Sequence, residues 1–556
     1  MHSFLPRIPF LSLLLVAAAL TLPTSALAAK APVDPVAVAI TKAFAAKETS
    51  YVETRDMRRA WTASKFAAAK ASTEARRREV LAVRTYTVNL AKRGQLTPDR
   101  IVPVLLSVKA TTEHMMAKTP FPTHENEYRI AGDVAVFTFY RGRGMQFQPF
   151  ETFKVGMSYV NRIDPEVDKA REVADRMLQL SVRKGSALVW EYYFPFGGPA
   201  TPWTSSISQA LGTEFFTRTA INLPEAERAP YLATSDAMIR SFQRSTRMGG
   251  VSVTEGTGRF YVMYPFNPAQ RILNGHLQVL ENLSRLQALT PSPAAQAVVD
   301  AGVAGVLPLL PSFDTGGWSN YQPGQEAELG YHEFQTEQLV RLGKLTGNTT
   351  FRDFGDRFQL YLLTPPTVVV PETGWLPIIP AVDGYRDTIV VSYTVNKRSR
   401  DELRIYDVDG EHVRTLGTSG GRGTHKVTWD GRTGAGVIVP DGAYTAKLKT
   451  TDVVGNFRTG DVVQQLRVER DVVAPTLGSI ALTPRGRTTI VKVKAADLGS
   501  AWVNARIVLG KTSVVSRRGP RMGTITLVVP RTVAQVRTGV LRLEDASGNV
   551  LEHPID

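Results

Sequence analysis

Apolar residues recur at helical spacing as far as about Leu362 and alternate with polar ones from Ile389 onward, and the proline-rich stretch TPPTVVVPETGWLP separates the two patterns. A strand cannot bury a stripe of period 3.6, nor a helix one of period 2, so the two stretches must pack as separate regions. At 556 residues the chain also exceeds what one hydrophobic core serves, and roughly three or four domains are expected. The expected class is multidomain α + β: a helical array with a small β-rich segment, followed by two all-β sandwiches.

The β half is expected to begin after a linker at 366–382. Its first module, 383–470, carries IYDVDGEHVRTL and then THKVTWDGRTGAGVIVPDGAYTAKL, alternating strands broken by Asp-Gly turns. Trp429-Asp430-Gly431 and Pro440-Asp441-Gly442 with Tyr444 resemble the immunoglobulin-like module of flagellar-hook-capping proteins, whose usual role is spacing or attachment. The phrase D-x-x-G-N occurs at Asp452 to Asn456 and again at Asp545 to Asn549. The stretch 474–556 is therefore expected to be a second Ig-like sandwich, duplicating the first.

In the helical half, 29–127 is alanine-rich and basic, with twelve Lys or Arg against five Asp or Glu between Tyr51 and Arg100. Two or three helices are expected there, forming either a polyanion-binding arm or an ordinary solvated face. The string VAVFTFYRGRGMQFQPFETFKVGMSYV, short apolar runs broken by glycine, predicts a β-rich segment over 128–163. From 164 to 365, Asp164-Pro165 predicts a helix start, and amphipathic segments follow near 207–220, 230–242, 273–286, 325–345 and 351–362. Tyr331, Phe334, Leu342 and Leu345 share one stripe, as do Phe351, Phe354, Phe358 and Tyr361. Helical hairpins of this spacing fit an α/α-toroid.

Residues 1–28 have an early Arg7, an apolar run from Leu11 to Leu22 and Ala26-Leu27-Ala28, the pattern of a cleaved signal peptide. The run is shorter than the roughly 20 residues that span a bilayer, so a secreted or cell-surface protein is expected, with no integral membrane segment after cleavage. Cysteine is absent, which excludes thiol catalysis, disulfides and cysteine-ligated metals. The net charge of +15 favours polyanionic partners. No zinc-finger, helix-turn-helix or RNA-binding signature is present, so acidic glycans rather than nucleic acid are expected.

Three blocks follow one another: PWTSSISQALGTEFFTRTA, GRFYVMYPFNPAQRILNGHLQVLENLSRL and DTGGWSNYQPGQEAELGYHEFQTEQLVRLGKLTGN. With GRGMQFQPF upstream they resemble, over about 130–365, the C-terminal domain of D-glucuronyl C5-epimerases. The resemblance implies an isomerase that inverts C5 of uronic acid residues in an acidic, heparan-sulfate-like polysaccharide, without cofactor or catalytic metal. Inversion removes the proton beside the C6 carboxylate and returns one to the opposite face, so two proton-transfer groups must flank the sugar. A tyrosine, with an ordinary pKa of about 10, needs a cationic neighbour to act as the base.

Tyr321 and Tyr331 match the positions where the family keeps catalytic tyrosines. The same resemblance makes Arg271 and Asn274 carboxylate ligands, and adds Trp203, Gln209, Tyr264, Trp318 and His332 to the substrate-binding set. Without it, Asn274 reads as a helix cap and the aromatics as core. Two departures stand out: Thr204 follows Trp203 where the family has a tyrosine, and Met263 precedes Tyr264-Pro265 where it has an acidic residue. They favour an alternative, a non-catalytic glycan-binding or cell-envelope protein on the same fold, with the sandwiches serving wall or surface association. A uronate lyase would use the same C5 carbanion. Asp314, Glu326, Glu328 and Glu333 near the tyrosines would suit a glycosidase.

Overall fold

The computed structural model describes residues 33–198, 201–371 and 374–556, so the signal peptide expected over 1–28 lies outside the described residues. The chain forms two compact units, residues up to Phe121 with 141–144, and residues 122–140 with 145–556.

Among the described residues the first unit holds four α-helices, Pro35–Ala45, Tyr51–Lys70, Glu74–Lys92 and Ile101–Met116, where two or three were expected. Local chemistry starts them. The Asp34 carboxylate accepts from the Val36 and Ala37 amides, Ser50 and Glu53 form a reciprocal capping box, and Thr73 caps the third helix. Asp34 also accepts from Trp61 Nε1 at 2.8 Å, and Arg84 lies 3.8 Å over the Trp61 ring, so one buried tryptophan ties three helices together.

Next along the chain is a three-stranded sheet, Glu127–Arg129, Val136–Tyr140 and Gly144–Phe147, which apart from Gly144 belongs to the second unit. The expected β-rich segment stops there. PFETFKVGMSYV, read as strand from its aromatics and glycine, is the helix Pro149–Val160. Gly156 is a contact position rather than a break: a Cβ there would meet the Phe215 ring at 2.4 Å, and one at Gly212 would meet Phe153 at 2.6 Å. The two helices thus exchange an aromatic for a glycine. The next helix starts at Val167, behind Glu166, rather than at Asp164-Pro165.

Four helices, Pro149–Val160, Ser206–Asn222, Leu273–Leu289 and Leu329–Thr346, pack side by side in chain order, and each pairs with the helix after it: Val167–Gln179, Ala229–Gln243, Pro293–Val306 and Thr349–Leu363. Pro293–Val306 was not foreseen. With the turn Leu307–Phe313 it makes a stretch long and apolar enough to cross a membrane, mean hydropathy 1.5, where no such segment was expected. Its Ala295, Val298, Val299 and Val306 lie in the helical core. The stripe proposed for Tyr331 is also reassigned: Tyr331, Phe334 and Leu345 are exposed, and His332, Gln335, Leu339 and Leu342 face inward.

The stretch expected as a linker contributes two strands to the first sandwich. Val368–Val369 pairs with Ile389–Val395, and Leu376–Ile378 runs parallel to Phe457–Val468. The two β modules share a strand order. In the first module one sheet is ordered 368–369, 389–395, 423–429, and the other 376–378, 457–468, 442–452, 399–406, 412–420. In the second the orders are 476–485, 488–496, 522–529 and 550–554, 540–544, 502–509, 512–520, the same sequence of neighbours without the parallel edge strand. Trp429 and Tyr444 are buried in the first core, and the Tyr444 hydroxyl donates to Pro440 O at 2.8 Å.

Candidate active site at the head of the helical row

A single device orients all four inner helices. The fourth residue of each takes a backbone amide from the extended segment before it: Thr152 Oγ1 from Val136 N at 3.0 Å, Gln209 Oε1 from Trp190 N at 3.1 Å, His276 Nδ1 from Tyr261 N at 2.9 Å, and His332 Nδ1 from Ser319 N at 3.2 Å. Each side chain also donates to a carbonyl, Gln148 O, Leu188 O, Gly302 O and Phe358 O respectively. Both histidines accept at Nδ1 and donate at Nε2, so both are neutral. Burial pulls the pKa of His276 down to about 3 and that of His332 down to about 4. Three residue types, threonine, glutamine and histidine, fill one role, which is why the repeat is hard to see in the letters.

This lock brings the preceding segments together at the helix starts. Tyr321 sits on the hairpin Asn320–Gln322 with Gln325–Glu326, and Tyr331 is the third residue of the next helix. Their ring centroids are 4.8 Å apart with planes at 55°. Tyr331 is 46% exposed and Tyr321 half-buried. Burial, and then Tyr331, push the Tyr321 phenol up to about 12. Tyr264 is driven higher still, first by burial and then by Tyr321, Tyr331, Tyr140 and Glu125. No cation figures among the groups that set either value, so both phenols are proton donors at neutral pH.

Beside them lies an aromatic wall. Trp203 stacks on Tyr192 at 4.2 Å and packs against Tyr264 and Phe266, with Tyr140, Phe194 and Phe196 completing the cluster. Trp203 is itself buried and donates from Nε1 to Phe194 O, so it supports the wall rather than offering a face. Tyr140, Phe196, Tyr264 and Phe266 are only partly buried, and flat apolar faces of this kind suit the ring of a sugar.

The remaining expected ligands divide sharply. Gln209 and His332 are fully buried and spend their polar atoms on the lock, and Trp318 stacks on His332 at 3.8 Å while donating to Ala327 O. None of the three is placed to touch substrate. Arg271 pairs with Glu255 at 2.7 Å and donates to Pro268 O, so it supplies no cation to the tyrosines. Asn274 is the exception: it is 7% exposed, and its Oδ1 is buried without a hydrogen-bond partner. Gln338 donates to the Asn274 carbonyl at 3.1 Å and leaves its own Oε1 unpartnered, as does Gln335, which donates to Asn320 O at 3.2 Å. These two glutamines were missed because each falls on an apolar helical stripe.

Thr204, where the family has tyrosine, is buried beside Lys184, which pairs with the fully buried Glu191 at 2.8 Å. The carboxylates considered for glycosidase chemistry are engaged elsewhere. Asp314 holds Arg357 and the Tyr361 hydroxyl, each at 2.9 Å, and Glu328 pairs with Arg398 at 3.1 Å. Glu326 lies 3.8 Å from Arg422, and Glu333 is exposed.

Those last pairs were not anticipated, because they come from the first sandwich. Arg398 reaches Glu328, the residue that begins the Tyr331 helix, and Arg422 reaches the strand facing Tyr321. Asn396 Nδ2 donates to Gly316 O at 3.3 Å, and a Cβ at Gly317 would clash with Asn396 at 2.6 Å. The buried Lys397 donates to Tyr361 O and Thr364 O, and pairs with Asp452 at 3.3 Å. The module therefore braces the hairpin and the helix that carry the two tyrosines, where a role in spacing or attachment was expected.

Residues 184–360 match the family described as the D-glucuronyl C5-epimerase C-terminus, and residues 383–453 match the FlgD Ig-like domain, in that order. No curated protein matches the chain. Among solved structures, dimeric latent PorU from Porphyromonas gingivalis aligns at 15% identity over 34% of this chain and 19% of that one, with a TM-score of 0.13. The chain thus spans about a fifth of that protein's length.

Proposed function

We propose that this is a secreted enzyme that inverts C5 of uronic acid residues in an acidic polysaccharide, built on an open counterpart of the α/α-toroid. The observation that carries the reading is the Tyr321 and Tyr331 pair, with Tyr264 beside it, inside the stretch that matches the epimerase family. Tyr321, with its pKa pushed up to about 12, is the proton donor. Tyr331, on the exposed rim, takes the C5 proton and needs a cationic or hydrogen-bonding neighbour, brought by substrate or by side-chain movement, to do so. The rings are in contact, so the sugar engages their hydroxyl edges rather than a slot between their faces.

The Asn274 carboxamide, buried and unpartnered at Oδ1, is a ready partner for a substrate hydroxyl or, with the amide turned, for the C6 carboxylate. The test is product analysis by NMR on a glucuronate polymer. Appearance of the C5-inverted residue, reduced by about 100-fold or more in Tyr331→Phe, supports the reading. An unsaturated, ultraviolet-absorbing product would assign a lyase instead.

A second reading is a glycan-binding protein that has lost catalysis. Two observations favour it: the high pKa of Tyr321 and Tyr264 without a cation beside them, and the buried Thr204 at the family's tyrosine position. Under it, Tyr331→Phe leaves polymer binding unchanged and the wild type shows no chemistry.

A further inference from the structure

The first unit carries a concavity of ≈ 600 Å³ lined by Phe44, Tyr51, Thr54, Arg55, Arg58, Arg59, Thr62 and Ala63. That volume lies within the roughly 300–1,000 Å³ of ordinary ligand sites. From Tyr51 to Thr62 these positions are spaced three or four apart on one helix, so they form one continuous stripe. Met57, Trp61, Ser64 and Ala67 are buried on another stripe that holds the helix in the unit, and Thr54 is the one groove position on this helix that is buried with them.

Two features set the stripe apart from an ordinary solvated face. Its aromatics stand in water: Tyr51 is 71% exposed and Phe44 is 45% exposed, a cost unless something covers them. The lining also contains three arginines and no carboxylate. Arg55 and Arg59 share the neighbouring Asp56 at 3.3 and 3.8 Å, and Arg58 donates one hydrogen bond to Thr41 at 3.2 Å. With five donors on each guanidinium, most of the hydrogen-bonding capacity remains for a ligand.

We infer that this groove is a second binding site for a uronate-containing polysaccharide, apart from the tyrosines. Guanidinium forks match carboxylates spaced along such a chain, and Tyr51 and Phe44 offer faces to the apolar sides of the sugar rings. A neutral glycan would satisfy the aromatics and leave the arginines without a partner. A compact anion would do the reverse. The polymer class follows the proposed activity and rests on that reading, whereas the groove's preference for an acidic glycan rests on its own residues. Its role is to hold the polymer on the enzyme between turnovers, lowering the concentration of long chains needed for saturation while leaving short oligomers unaffected.

The test is binding of the full chain to hyaluronan of about 20 sugars, with dextran of matched size as the neutral probe. Arg55→Gln/Arg58→Gln/Arg59→Gln is expected to raise the hyaluronan Kd by about tenfold or more and to flatten its dependence on salt, because three charges leave the contact. Tyr51→Ala, at a position too exposed to threaten folding, is expected to weaken binding several-fold with the salt dependence unchanged. Equal binding by both variants and the wild type, or equal affinity for dextran and hyaluronan, would overturn the proposal. C5 chemistry distinguishes its failure from that of the activity: a wild type that binds through the groove yet exchanges no C5 proton removes the enzyme and keeps the site, and exchange with unaltered polymer binding in the variants does the opposite.

Discussion

The two C-terminal β modules share one strand order and one D-x-x-G-N clasp, yet they meet their neighbours with different charge. In the first, Asn456 Nδ2 donates to Asp452 and to Leu362 O at 2.8 Å, and the buried Lys397 neutralises Asp452 while satisfying two carbonyls at the end of the last helix. In the second, Asn549 Nδ2 donates to Asp545 and to Asp471 O, both at 2.8 Å, but three carboxylates, Asp471, Asp497 and Asp545, converge within 4.8 Å. Burial, with the neighbouring aspartates, raises the pKa of Asp471 and Asp497. Topology decides where the joint forms. The side-chain charge decides how firmly it holds at neutral pH.

The largest expected effect is at Lys397. Lys397→Met leaves Asp452 as a buried, unpaired charge and two carbonyls without a donor, a loss of about 3–5 kcal/mol in chemical denaturation. A loss under about 1 kcal/mol would show that packing, not charge, holds the first joint.

Acid should then pull the two regions apart. His332 titrates near 6.5 when unfolded and at about 4 in the fold, so between those values the unfolded chain binds the extra proton. Stability of the helical region is therefore complete above about pH 6.5 and falls toward pH 4, by up to about 3 kcal/mol from this residue. The raised aspartates work the other way: the folded second module holds protons that the unfolded chain releases, so it gains stability as pH falls from neutrality. Segment-resolved hydrogen exchange at pH 7 and pH 5 should show opposite trends, and a parallel drift would remove the distinction.

Smaller effects should follow from the clasp itself. Asn456→Ala and Asn549→Ala each forfeit two hydrogen bonds, about 1–3 kcal/mol, with faster exchange near Leu362 in one and near Asp471 in the other. The smallest is Asp497→Asn, which keeps the bonds from Gly499 and Ser500 and removes one of three crowded charges. It should stabilise the second module by up to about 1 kcal/mol at pH 7, read from its unfolding midpoint.

Much of this was legible in advance because it depends on short-range pattern. The boundary near Leu362, the hairpin turns around Trp429 and Tyr444, and the duplicated D-x-x-G-N phrase all follow from period and turn chemistry. What was hidden depends on partners distant in sequence. Gly156 looked like a strand break until Phe215 filled its place. Thr152, Gln209 and the two histidines His276 and His332 differ as residue types yet all serve as acceptors at the fourth position of a helix. The family resemblance makes Gln209 and His332 ligands, whereas both spend their polar atoms on this lock. Tyr321 and Tyr331 lie in contact with Tyr264 near them, but Arg271, expected to bind the substrate carboxylate, is paired with Glu255.

The most direct test of the tyrosine pair is deuterium incorporation at C5, with purified protein and glucuronate polymers in deuterated water read by NMR. Incorporation by the wild type that is lost in both Tyr321→Phe and Tyr331→Phe is the expected result. No incorporation across several uronate polymers, or incorporation that survives both substitutions, would contradict the assignment.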